Sequence, residues 1–200
     1  MKAKQSTKLL LAAGVALAFG AGSVQAQESA LSYNYVEALY QDGDVRGRDH
    51  DAIKVRASFS LNDSFFLKGT ATRGETDRNV NAAGKMRIRE YTAGVGYRVP
   101  INSTADLVTG FEYVHGEHRY PAGDRDRQGF AADMGLRAMV RDNIELQGGV
   151  IYRDAKDFGG DVGLHAEARL HMSPQFSITL GYQKIQRDSE GAHAGIRFSF

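Results

Sequence analysis

His115, Glu117 and His118 are residues whose types and spacing suggest chemistry, since two imidazoles and a carboxylate are common metal donors. In an extended chain, neighbours point to opposite sides. His115 and Glu117 then share a face and His118 takes the other, which makes a poor metal pair. His165 and Glu167 do share a face, and Ser58, Ser60, Ser177 and Ser199 fall on the corresponding side by parity. A hydrolase needs a nucleophile, a base and an orienting acid that converge. These serines lie near segment ends, and none stands in a recognisable nucleophile motif. No catalytic residue, metal ligand or cofactor is therefore expected. The chain contains no cysteine, which excludes disulfides and thiolate metal sites.

The acid-rich runs 42–51 and 123–127 contain short Asp-x-Asp steps that invite a calcium reading. Neither has the spacing of a calcium loop, and adjacent arginines neutralise the acids. Solvated hairpin tips are the simpler reading. Their arginines suit the phosphates of lipopolysaccharide, and such tips suit a host surface equally well.

A larger set of charges lies inside the regular segments. Glu37, Lys54, Arg56, Lys68, Glu90, Glu112, Asp133, Arg137, Glu145, Arg153, Glu167 and Arg169 all fall on the stripe opposite the apolar one. Both signs occur in similar numbers. Such a stripe reads as a mutually neutralising network filling a narrow interior, or else as the lining of a pore.

The elements that carry these residues alternate with period 2. Ile53, Val55, Ala57, Phe59 and Leu61 interleave with Lys54, Arg56, Ser58 and Ser60; Val162, Leu164, Ala166, Ala168 and Leu170 interleave with Gly163, His165, Glu167 and Arg169. Carried along the chain, this pattern predicts ten strands near 30–40, 51–61, 65–73, 86–98, 105–116, 128–140, 144–153, 161–172, 176–186 and 192–200, or eight if the weakest pairs fuse. Tight turns alternate with the longer polar stretches 41–50, 74–85, 117–127, 154–160 and 187–191. That is the plan of an all-β, up-and-down antiparallel transmembrane β-barrel, half apolar by construction. Closure follows from physics, because a sheet in lipid cannot leave edge groups unpaired. Tyr40, Tyr91, Tyr97, Tyr113, Tyr152 and Tyr182 fall at outward positions suited to the two membrane interfaces.

Both ends of the sequence point to export. Lys2, Lys4 and Lys8 precede an uncharged run from Leu9 to Val24, and Val24-Gln25-Ala26 offers small residues at the cleavage positions. Residues 1–26 are expected to be a cleaved signal peptide and 27–200 the barrel domain. Removing residues 1–26 takes away three lysines and no acid, leaving 22 basic against 24 acidic residues and a net charge of −2. A near-neutral chain lacks the basic face that a nucleic-acid partner requires. At the other end Ile196, Phe198 and Phe200 alternate with Gly195, Arg197 and Ser199. This stripe resembles the signal that the outer-membrane barrel-assembly machinery reads.

Ser32-Tyr33-Asn34-Tyr35-Val36-Glu37, Ala93-Gly94-Val95-Gly96-Tyr97 and the aromatic last strand resemble small Gram-negative outer-membrane β-barrel proteins of the OmpX-like and OmpA-like superfamily, such as those common in xanthomonads. The resemblance spans residues 27–200 in organisation and only those stretches in residues. It implies an outer-membrane location, with lipid and lipopolysaccharide around the barrel and periplasmic chaperones during biogenesis. It carries no catalytic signature. The expected role is structural or at the envelope surface; a small pore and an adhesin-like barrel are the alternatives, ahead of a barrel enzyme.

Overall fold

The computed structural model describes residues 31–45, 48–76, 86–120, 123–155, 159–186 and 189–200. The expected signal segment lies outside the described residues. The ten strands are β1 (Tyr35–Val45), β2 (Asp49–Ser60), β3 (Phe65–Thr76), β4 (Arg87–Asn102), β5 (Ala105–Tyr120), β6 (Gly123–Arg141), β7 (Ile144–Ala155), β8 (Gly159–His171), β9 (Phe176–Ile185) and β10 (Ser189–Ser199). Each pairs antiparallel with its sequence neighbours, and β1 pairs with β10 to close the barrel. Ten strands form, so the eight-strand alternative does not hold.

Alternation sorts the side chains as the period dictates. Ile53, Leu136, Leu164 and Ile196 face outward and are more than half exposed on the isolated chain. Glu37, Arg137, Glu145, Glu167 and Arg169 point into the bore and are buried. A shift of one residue in any pairing would exchange the two sets, which holds the register firmly.

The two ends of the barrel differ. At one end the turns are short and locally tied: the Asn62 side chain accepts the backbone N–H groups of Ser64 and Phe65, both at 2.9 Å. Register shifts occur at this end between Pro100 and Asn102 and between Met139 and Arg141. Proline cannot donate to the ladder, so an irregularity beside Pro100 is expected. At the other end several strands run further than their alternation suggested. Residues 41–45, 117–120 and 123–127, expected as loops, continue the β1, β5 and β6 ladders, with Tyr120 opposite Gly123. Charge in these stretches masked strand character, because a hairpin extending beyond the bilayer needs no apolar stripe. Short turns at one end and longer hairpins at the other identify the periplasmic and extracellular sides.

The first strand starts later than its pattern indicated. Leu31 to Asn34 are not strand; Leu31 and Tyr33 are buried with Phe66 and Val108, against Met139, at the turn end of the bore. Gly96 permits this packing, since a Cβ there would lie 2.1 Å from the Phe66 ring. Tyr152 also departs from expectation. It lies at an outward position but is only 7% exposed, packed against Phe130 with ring centroids 6.0 Å apart and under the backbone of Gly160.

Candidate functional site

The bore is the only place in the described structure where charged side chains converge in number, and it is layered. Nearest the turn end, the Tyr33 hydroxyl donates to Asp106 at 2.9 Å, and the guanidinium groups of Arg98 and Arg137 lie 5.0 and 4.6 Å from the Tyr33 ring centroid. This aromatic residue with its two cations forms a stopper across the end of the barrel.

Above the stopper lies a dry ionic layer. Glu37, Glu145, Arg169 and Arg197 are each no more than 2% exposed. Glu145 accepts two bonds from Arg137, at 2.7 and 3.1 Å, and is also paired with Arg169. Glu37 accepts from Arg56 at 2.8 Å, Arg197 at 3.2 Å and Thr179 at 2.5 Å. Glu167 pairs with Arg56 at 2.6 Å, with Arg169, and with His193 at 3.0 Å. The Arg197 guanidinium also lies over the Tyr35 ring, 3.5 Å from its centroid. Forked guanidinium–carboxylate pairing fixes these groups far better than lone charges would be fixed.

The middle of the bore is looser. Lys68 pairs with Asp133 at 2.6 Å and with Glu112 at 3.6 Å, and Gly110 leaves the room they occupy. Arg153 and Glu90 form a two-point pair at 3.0 Å. These groups surround a cavity of about 160 Å³ that Lys54, His165 and Gln183 also line. Toward the loop end Val45, Met86 and Ile88 form a small buried apolar cluster.

All nine residues named as a network, Glu37, Lys54, Arg56, Glu90, Glu112, Asp133, Arg137, Glu167 and Arg169, are thus placed in the bore, and all but Lys54 are bonded within it. The sequence reading missed Asp106, Arg98, His193 and Arg197 as members. Parity alone would have found Arg197, which shares a face with His193 and Ser199. Nothing in the pattern signals the Tyr33 stopper, because it depends on residues that precede the first strand.

The expected chemistry can be checked against the geometry. His118 is buried in the bore, and no cluster of three His, Asp or Glu among the described residues is placed to hold a metal. One arrangement was not foreseen: Ser177 Oγ lies 2.9 Å from His171 Nδ1, and His171 Nε2 lies 3.3 Å from Glu145. These are the residue types of a nucleophile relay. Ser177 is however 3% exposed, neither of the two larger cavities borders it, and Glu145 already carries two arginines. The buried trio therefore reads as packing.

An antiparallel barrel closed without a free edge, apolar outside and ionic within, defines a transmembrane β-barrel of the outer-membrane type. The chain belongs to the outer membrane protein beta-barrel domain family, whose model matches residues 14–199. No curated protein matches the chain. Among solved structures, the chain is similar to the NanC porin, with a TM-score of 0.53, 8% identity, and 82% of this chain and 100% of that one covered. It is also similar to the KdgM porin in complex with disordered oligogalacturonate, with a TM-score of 0.51, 8% identity, and 83% and 99% covered. At that identity the likeness is one of fold. The protein is an outer-membrane protein.

Proposed function

We propose that this barrel is a non-conducting component of the outer membrane, with a structural role or a role at the envelope surface. The observation that carries this reading is the dry layer of Glu37, Glu145, Arg169 and Arg197 spanning the bore above the Tyr33 stopper. An aqueous channel requires water-filled continuity, and fully buried, mutually paired charges do not provide it. The two porins similar in fold favour a channel at the level of fold alone, and their cargo is not carried over. The expected signal segment 1–26 fits this reading as a cleaved leader, with 27–200 as the barrel domain. Ile196, Phe198 and Phe200 fit as the stripe read by the assembly machinery. Lipid and lipopolysaccharide are the constant neighbours, and the charged hairpin ends are the surface available to a host ligand. No catalytic role is proposed. Purified protein in a planar bilayer is expected to give no stepwise conductance. Regular, voltage-stable openings would overturn the reading and install the pore in its place.

A further inference from the structure

Among the described residues, charge pairing in the bore leaves Lys54 over. Glu90 is held at two points by Arg153, Asp133 by Lys68, and Glu167 by Arg56, Arg169 and His193. Lys54, on β2, makes no hydrogen bond or ion pair among the described residues, although it lines the 160 Å³ cavity. Glu90 and Glu167 are the carboxylates whose charge acts on it, and both are already engaged. Lys54 is half-buried, a partly desolvated ammonium without a counter-ion is held at some cost, and the cavity beside it has room for one. At a share of about 30 Å³ for each water, it has room for roughly five waters, enough for a small oxyanion.

The cavity continues toward the loop end. A second space of about 70 Å³ shares Lys54, Glu90 and Arg153 with the first and reaches Val45 and Ser189, at the loop ends of β1 and β10. His50 lines this passage. It is 6% exposed, and neither of its ring nitrogens has a hydrogen-bond partner among the described residues. Gly74, diagonal to it on β3, leaves room for the ring, since a Cβ there would lie 2.3 Å from His50 Nε2. Four residues of strand separate His50 from Lys54, about 13 Å at the usual rise, so the imidazole belongs to the entrance and the ammonium to the floor. Below them the dry ionic layer and the stopper close the bore.

We propose that the loop-end half of the bore is a blind binding pocket for a small oxyanion, such as a phosphate group, which enters past His50 and forms an ion pair with Lys54. The pocket goes beyond the non-conducting role and needs only the upper half of the bore. Micelle titration tests it separately from conductance. Full-length protein refolded in detergent is titrated with inorganic phosphate, and binding is followed by phosphorus NMR and by melting temperature. Saturable binding is expected in the wild type, in Lys54→Arg and in the surface control Lys184→Met. Lys54→Met should bind roughly tenfold more weakly or worse, the usual effect of losing a charge-assisted contact. Absence of saturable binding to the wild type would overturn the pocket, and so would equal binding by Lys54→Met, which would mark a surface effect. If Lys54→Met yields no heat-modifiable folded band, the wild-type titration read at the Lys54 and His50 amide resonances decides. Shifts at both support the pocket, and unmoved resonances refute it.

Discussion

Glu37 on the first strand and Arg197 on the last face each other across the seam that closes the barrel, bonded at 3.2 Å and buried to 2% exposure or less. The same carboxylate faces Arg56 on its other side and accepts from it at 2.8 Å. One residue therefore ties β10, β1 and β2 together where an open sheet would have its edges.

Glu37→Ala is expected to be among the most damaging single changes in the bore. It leaves the buried Arg197 without its carboxylate and Arg56 with Glu167 alone, and breaking a buried pair from one side costs about 3–5 kcal/mol. A urea titration of protein refolded into lipid measures the cost. A loss below 1 kcal/mol would mean that neighbouring carboxylates or water take over the pairing.

On the lipid face the expectation is different in kind. Leu136 and Leu164 are 54% and 64% exposed to the outside, the second near the middle of β8 and the first five residues from the turn end of β6. Replacing either by Arg should cost roughly 2–4 kcal/mol in a bilayer, because the charge meets hydrocarbon. Glu190, exposed at the loop end and paired only with the surface groups Lys184 and Tyr182, should be replaceable at almost no cost. Equal costs at the three positions in the same titration would contradict the facing assigned here.

These two expectations differ in how much of them the sequence carried. Leu136, Leu164 and the inward charges of β2 and β8 were legible because a period of 2 fixes facing whatever the neighbours are. Strand number was legible for the same reason. The pairing of Glu37 with Arg197 was not, since it needs the register of a ladder between residues 160 positions apart. The stopper was hidden more deeply. Tyr33 reads as the start of an alternating strand, and only tertiary packing against Phe66 and Val108 turns Leu31 and Tyr33 into the bore. The hairpin extensions at 41–45 and 117–120 were lost because pattern reading equates charge with loop, although a ladder above the membrane stays paired without an apolar face.

Tyr33 separates sealing from stability. Tyr33→Ala removes a buried ring that two guanidinium groups and Phe66 enclose, with centroids of the two rings 4.7 Å apart. A loss of about 3–5 kcal/mol is expected, as for other buried aromatics cut to alanine. Bilayer recordings of the same variant should stay silent, because the Glu37, Glu145, Arg169 and Arg197 layer still spans the bore. Stepwise conductance in Tyr33→Ala would instead make the stopper the sole barrier.

Phe200 is expected to govern assembly more than stability. Its ring is 61% exposed on the outer wall and stacks loosely on Phe198, with centroids 6.3 Å apart. Its backbone N–H donates to the Asn34 carbonyl at 3.1 Å, just beyond the β1–β10 ladder. Losing a half-exposed ring at an interface removes less than the roughly 1.5–3 kcal/mol of a full burial. The Ile196, Phe198 and Phe200 stripe nevertheless lies on the strand that closes the barrel, and before closure that strand presents a free edge. Strand addition to such an edge is a common way for one protein to capture another, and an outward aromatic stripe would give the assembly machinery its specificity. Deleting Phe200 should therefore sharply lower the amount of folded protein in the outer membrane of cells, while the same variant refolded into detergent keeps nearly normal stability. Quantitative blots of membrane fractions and a parallel urea titration measure the two effects. Normal levels in cells would show that the stripe is not read. Failure to refold in vitro would show that Phe200 is needed for packing, and the assembly reading would fall with it.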